Sequence, residues 1–145
     1  MAPMISRSIL VALAAFVFVP GAQAEQTSYE AQLEGYSLFL VKVQQAFRAG
    51  DRAEVLGLIR VPLRVNQPDG KGPVWYRDIH QVKASFDVIF DRQTIDAILE
   101  QSPESIFSRD IGAMVGVGEV WFDNTCLDEA CEKLGPVKIY AINHM

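Results

Sequence analysis

A short apolar run near the N-terminus decides how much of this chain is available to fold and in what surroundings. Ile9 to Val19 is uninterrupted apolar sequence, flanked by Arg7, broken by Pro20-Gly21 and followed by Ala22-Gln23-Ala24 ahead of Glu25. That is the layout of a secretory signal, with cleavage expected after Ala24. The rival reading, a membrane anchor, needs about 20 apolar residues in a row, and this run is shorter. A lipid anchor would need a cysteine at the cut, whereas the first cysteine is Cys126. The expected organisation is therefore a cleaved signal peptide over 1–24 and one domain over 25–145. That length supports a single core and is too short for two ordinary ones.

The chain carries 13 bases and 18 acids, a net charge of −5. A mildly acidic domain repels phosphate backbones, so no nucleic-acid partner is expected. Cys126 and Cys131 are the only cysteines. An even count in an exported chain reads as a disulfide, here closing the short loop Cys126-Leu-Asp-Glu-Ala-Cys131. The alternative is a metal site, which for zinc wants four ligands or three plus water. The two histidines, His80 and His144, stand far from the cysteines and in no ligand spacing. No metal and no cofactor are expected.

Leu33, Tyr36, Leu40, Val43 and Phe47 recur at steps of three and four, which predicts a long amphipathic helix ending at Ala49-Gly50. Asp51 and Glu54 have the spacing of a capping box and start a second, short helix. Pro62 to Asn66 reads as a strand, Gln67 to Pro73 as a turn, and Val74-Trp75-Tyr76 as a returning strand. Asp78 caps a third helix with Ile79, Val82, Phe86 and Ile89 on its apolar side. Asp91 opens a fourth, stopped by Ser102-Pro103. Ile111 to Phe122 loses the helical period, and Gly116-Val117-Gly118 reads as a hairpin turn. Val137 to Asn143 is a closing strand, with Val137, Ile139 and Ala141 on one face and Lys138, Tyr140 and Ile142 on the other. Helices set apart from a C-terminal antiparallel meander make an α+β fold.

The segments Phe47-Arg-Ala-Gly-Asp51, Phe86-Asp-Val-Ile-Phe90, Ile111 to Phe122 and Ile139-Tyr-Ala-Ile-Asn143 together resemble exported bacterial members of the NTF2-like (SnoaL-like, cystatin-like) superfamily. The Gly-x-Gly-Glu-x-Trp-Phe hairpin is the most specific piece. The resemblance implies a cone: a curved antiparallel sheet wrapped around the N-terminal and middle helices, with an open mouth. It also implies a bacterial periplasmic location, and a homodimer through paired sheet faces is one form open to this fold. Members include isomerases, dehydratases, ligand binders and protein-binding modules, so fold alone does not give function, and no catalytic residue transfers by position.

Several residue sets offer chemistry, each beside an ordinary structural reading. His80 near Asp78 and Asp87 is a general base oriented by a carboxylate, or a surface histidine beside a helix cap. Lys83 on the same helix side suits a solvated face. Asp110 and Glu119 flank the glycine hairpin as an acid–base pair, or as ordinary charges at strand ends. Trp75, Tyr76, Trp121, Tyr140 and Phe122 line a ligand-holding cone mouth, or pack in the core, as strand aromatics usually do. Gly112, Gly116 and Gly118 match no phosphate-loop pattern, and no helix follows them.

Three functions remain open at this level. The leading one is a periplasmic, non-catalytic binding module that holds a small apolar molecule in the cone or docks an envelope protein on the sheet face. The second is an inhibitor or immunity protein of an envelope enzyme, using an exposed loop of apolar and acidic residues near Asp123 to Glu132. The third is a small isomerase or hydrolase using His80 with Asp78 or Asp87.

Overall fold

The chain is seen as a computed structural model that describes residues 20–145. The expected signal peptide lies outside the described residues except for 20–24, which open the first helix. That helix, α1, runs from Pro20 to Arg48. Tyr36, Phe39, Leu40, Val43 and Ala46 form its buried stripe, the three-and-four spacing that presents one apolar face to a core. Gly50 ends it with φ of 63°, the left-handed position that glycine fills without a Cβ penalty. Asp51 then accepts the Glu54 N–H at 3.0 Å and starts α2, Arg52–Gly57.

The middle of the chain uses the same capping device twice more. Asp78 accepts from the Gln81 N–H (3.0 Å) and opens α3, Ile79–Ala84. Asp91 accepts from the Thr94 N–H (2.8 Å) and opens α5, Arg92–Glu100. Each cap satisfies a donor that the first helical turn leaves unpaired. The single third helix expected from sequence is broken at Ser85 into α3 and a one-turn α4, Phe86–Ile89. The break still lets Val82, Phe86 and Ile89 all reach the core. Buried Gln44 of α1 donates to the carbonyls of Ile98 (2.9 Å) and Gln101 (2.7 Å). It thereby ties α1 to the end of α5 and satisfies carbonyls that the helix itself cannot.

Six strands form one curved, unclosed sheet in the order β2-β1-β6-β5-β4-β3. They are β1 (Ile59–Asn66), β2 (Val74–Tyr76), β3 (Phe107–Arg109), β4 (Gly112–Val115), β5 (Val120–Cys126) and β6 (Leu134–Asn143). The α+β class is as expected, with the N-terminal helices packed on the sheet. The sheet is mixed rather than wholly antiparallel, because β1 pairs with β6 in parallel. Long crossovers are what parallel pairing requires, and here the chain from β2 through α3, α4, α5 and the β3–β5 meander supplies one. The short edge strand β3 has no counterpart in the sequence reading. It is three residues long and its Phe107 is exposed, so it carries no periodicity to detect.

The alternation along β6 also differs from expectation. Ile139 pairs with Phe122 and Ala141 with Trp121, so Tyr140 is an extra residue with no partner. This bulge changes the phase of the strand. Ile142 joins Ile139 in the core, while Ala141 is fully buried yet lies outside the core cluster. The helix face of the sheet is consequently Leu63, Val65, Val115, Val120, Phe122, Ile139 and Ile142, packed against Tyr36, Phe39 and Leu40. Burying each such side chain contributes about 1.5–3 kcal/mol. Gly112 allows β4 to approach β5, since a Cβ there would lie 2.4 Å from the Phe122 carbonyl oxygen.

Cys126 and Cys131 form the disulfide, in keeping with an oxidising compartment. No helix among the described residues is long and apolar enough to cross a membrane. The disulfide closes a short loop at the end of β5, so its loss should relax the denatured chain without opening the core. Replacing both cysteines by serine is expected to cost about 2 kcal/mol in urea unfolding. The far-ultraviolet circular dichroism of the folded state should stay unchanged.

Candidate functional site

The pleat of the sheet separates two sets of side chains. Paired residues share a face, and one rung crosses all six strands: Trp75, Arg64, Ala141, Trp121, Met114 and Phe107. In the neighbouring rung Val65, Ile142, Val120 and Val115 belong to the core, with the exposed Val74 at its β2 end. The first rung is therefore the outer face, away from the helices. Trp75 and Phe107 at its ends are 48% and 51% exposed, and Arg64, Trp121 and Met114 are half-buried. The Trp121 Nε1, Met114 Sδ and Met145 Cε all come within 3.9 Å of the position a Cβ on Gly118 would take, so they converge over that glycine. Exposure is greatest at the two ends of the rung, while its middle is half-buried over the fully buried Ala141; grouped apolar surface, unlike an isolated exposed hydrophobic, is what marks an interaction surface.

The five aromatics singled out from sequence divide between the faces. Trp75 and Trp121 stand on the outer face by their pairing, and Tyr140 joins Trp75 in lining one pocket there. Tyr76 pairs with buried Leu63 and packs against the core. Phe122 is fully buried, in ring contact with Tyr36 at 5.9 Å and Phe39 at 4.9 Å between centroids. The space between helices and sheet is thus occupied by packed side chains. A separate depression of about 360 Å³ lies between α1, α2 and the start of β6. Its charges are already partnered: Lys42 pairs with Glu54 at 3.2 Å, and the Lys138 ammonium donates to the Gly57 carbonyl.

The carboxylate and histidine candidates are dispersed. His80 is exposed on α3. Asp78 is occupied as a helix cap, and Asp87 makes a two-point ion pair with Arg52, whose guanidinium also lies 4.7 Å from the centre of the Phe86 ring. Among the described residues no hydrogen bond or ion pair joins a carboxylate to His80, as general-base work would need. Asp110 is exposed and paired with Arg109 at 3.1 Å. Glu119, at the other end of β4, is buried and folds back to accept the Val117 N–H at 2.8 Å. It stabilises its own turn and does not face Asp110.

Two groups of interest escaped the sequence reading. Arg60 and Arg64 are the first. Both lie on the outer face of β1, where they line a pocket of about 290 Å³ with Val61, Pro62, Trp75 and Tyr140. Spacing gave no signal for the pair, because the strand read from sequence begins at Pro62 and the pairing of β1 is irregular between Ile59 and Arg64. The second is Tyr36, whose buried hydroxyl donates to Asp123 Oδ1 at 2.6 Å and accepts from Gln32 Nε2 at 2.9 Å. Burial, and then the Asp123 carboxylate that accepts its proton, push the Tyr36 hydroxyl well above the ordinary tyrosine range. Comparison with protein-family models, curated proteins and solved structures gives no significant match to this chain.

The Tyr36–Asp123 bond has a measurable consequence at high pH. The neutral hydroxyl is the form the fold favours, so its contribution is complete below the ordinary value of 10.0 and declines as pH rises above it. Tyr36→Phe is expected to cost about 1–2 kcal/mol at pH 7. The gap between wild type and variant should narrow as pH climbs past 10.0. Urea melts at neutral and alkaline pH test this, and a gap that widens with pH would contradict it.

Proposed function

We propose that this chain is an exported, non-catalytic binding module of the NTF2-like kind that works in a bacterial periplasm and docks a partner protein on the outer face of its sheet. The observation that carries the reading is the unbroken outer rung from Trp75 to Phe107, apolar or aromatic at every strand except the Arg64 position. Aromatic residues and arginine are the types enriched at interface centres. The NTF2-like assignment draws on the sequence resemblance and on N-terminal helices packed against a curved sheet. Export draws on the leader sequence and the disulfide. Docking is favoured over a ligand held in the interior because Tyr36, Leu40, Phe122 and Ile139 fill it, each at most 1% exposed, and because the charges of the depression between α1, α2 and β6 are already partnered.

A second reading, inhibitor or immunity protein, is favoured by the disulfide loop. Leu127 is 65% exposed beside the exposed acids Glu129 and Glu132, the apolar-acidic composition expected of such a loop. Its partner would meet the molecule at the end of β5 and not across the sheet.

Site-specific photo-crosslinking in living cells separates these readings. A cross-linker at Met114 should trap one discrete partner. A cross-linker at Val88, which is 63% exposed on α4, should trap none. Trp121→Ala should weaken the captured complex by about thirtyfold or more, the loss of a central aromatic anchor. Capture from Leu127 in place of Met114 would transfer the assignment to the inhibitor reading, and capture from neither would sink docking altogether.

A further inference from the structure

The end of the outer face next to β2 differs chemically from the rest. Arg60 and Arg64 both line the pocket of about 290 Å³ there, walled by Pro62, Trp75 and Tyr140. The Arg60 guanidinium lies 5.1 Å from the centre of the Tyr140 ring. That ring is held in place, because its hydroxyl donates to the Ile111 carbonyl at 2.7 Å. The pocket is therefore preformed on one side by a tethered aromatic and on the other by an exposed tryptophan.

The two guanidiniums have no anion to answer them. The ion pairs among the described residues use Lys42, Arg52, Arg92, Arg109 and His144 as their bases, never Arg60 or Arg64. The Arg64 Nε is buried and has no hydrogen-bond partner. Asp123 is electrostatically within reach of Tyr140, but its Oδ1 accepts from the Tyr36 hydroxyl at 2.6 Å and the Asn124 N–H at 2.7 Å. In a chain of net charge −5, the stretch Ile59 to Asp78 carries four bases (Arg60, Arg64, Lys71, Arg77) against two acids (Asp69, Asp78). A buried donor of a charged group is costly to leave unpaired, so a ligand that brings an acceptor gains what the apo state forgoes.

We propose that this pocket is a carboxylate-binding site, taking a carboxylate joined to a flat apolar group. The guanidinium fork matches the two oxygens of a carboxylate. Trp75 and Pro62 offer apolar contact for the group that carries it. The volume is at the small end for ligand pockets, which suits a single ring and its acid. A bare phosphate fits less well, since phosphate sites usually add backbone N–H groups from a helix N-terminus or a nest. Here the lining backbone belongs largely to strands β1, β2 and β6. The carboxylate can belong to a free molecule or to an acidic residue of a docked protein. The chemistry is the same in both cases, and the site stands whether or not the docking reading holds.

The probe is phenylacetate, titrated into the full chain and followed by amide chemical shifts and tryptophan fluorescence. Saturable binding is expected, with the largest shifts at Arg60, Arg64, Trp75 and Tyr140. Benzyl alcohol and inorganic phosphate should each bind at least about tenfold more weakly, or about 1.4 kcal/mol. Arg60→Gln and Arg64→Lys should each weaken phenylacetate by about tenfold or more, and Arg64→Lys keeps the charge so that an unchanged melting curve certifies the fold. Val88→Lys, on α4, should leave binding unchanged. A second arm compares a short Phe-Glu peptide, amidated at its C-terminus so that the side chain is its one carboxylate, with its amidated Phe-Gln counterpart, which should bind more weakly. Tighter binding of the Glu peptide than of phenylacetate supports the site with a protein-borne carboxylate; the reverse order supports it with a free ligand. The proposal is overturned if neither carboxylate saturates, if phosphate binds more tightly than both, or if the shifts map elsewhere. Failure of cross-linking at Met114 with success here removes the docking reading and leaves this site intact.

Discussion

The parallel pairing of β1 with β6 is the contact on which the rest of the structure depends. β6 is the last strand of the chain, yet it sits third in the sheet, between β1 and β5. Without it the β1–β2 hairpin and the β3–β5 meander would be two small sheets, each too narrow to cover the helices. With it, Val65, Ile142, Val120 and Val115 line up as one buried rung. The ends of the two strands are also secured there: His144 donates its N–H to the Asn66 carbonyl, and Asn66 and Asn143 bond through their side chains. Such pairing has to close a long loop before it gains contacts, the costliest kind of contact to form.

The same pairing creates the outer face. Arg64 stands opposite Ala141, and Ala141 opposite Trp121, only because β1 and β6 are neighbours in this register. The bulge at Tyr140 adds the second condition. A regular strand would have sent Ala141 toward the core and Ile142 outward. The extra residue exchanges them, giving Ile142 to the core and leaving small Ala141 beneath the larger side chains of the outer rung. Tyr140 itself, having no partner in the ladder, is free to reach the Ile111 carbonyl and stand beside Arg60. One inserted residue in β6 thus decides which of Ala141 and Ile142 enters the core, while a second irregularity, in β1 between Ile59 and Arg64, lies opposite it.

Local chemistry was readable from sequence wherever a short-range bond fixes it. Asp51, Asp78 and Asp91 cap helices at the positions their spacing indicates, Gly50 takes the left-handed conformation, and the Gly116–Gly118 turn separates two strands. Cys126 and Cys131 pair as the leader and the even count indicate. What escaped is non-local. Parallel pairing leaves no mark in either strand alone, and a bulge is defined only against its partner. Ser85 interrupts a helix whose apolar period continues through it, so the pattern predicts one helix where the chain makes two. The arginine pair was hidden for a related reason. Arg60 falls before the strand that the sequence indicates, and only the folded chain shows that it lines one pocket with Arg64, Trp75 and Tyr140.

An outer face this apolar raises the question of why the sheet does not simply propagate by edge pairing. The answer lies in the two edges. β2 and β3 are three residues each, too short to template another strand effectively, and short edges are a standard protection against such growth. Arg77 follows one edge directly and Arg109 closes the other, each placing charge where a new strand would have to align. The centre of the face has no such guard beyond Arg64. Association along the edges is therefore disfavoured, while association across the face stays open at its middle, where Trp121 and Met114 lie.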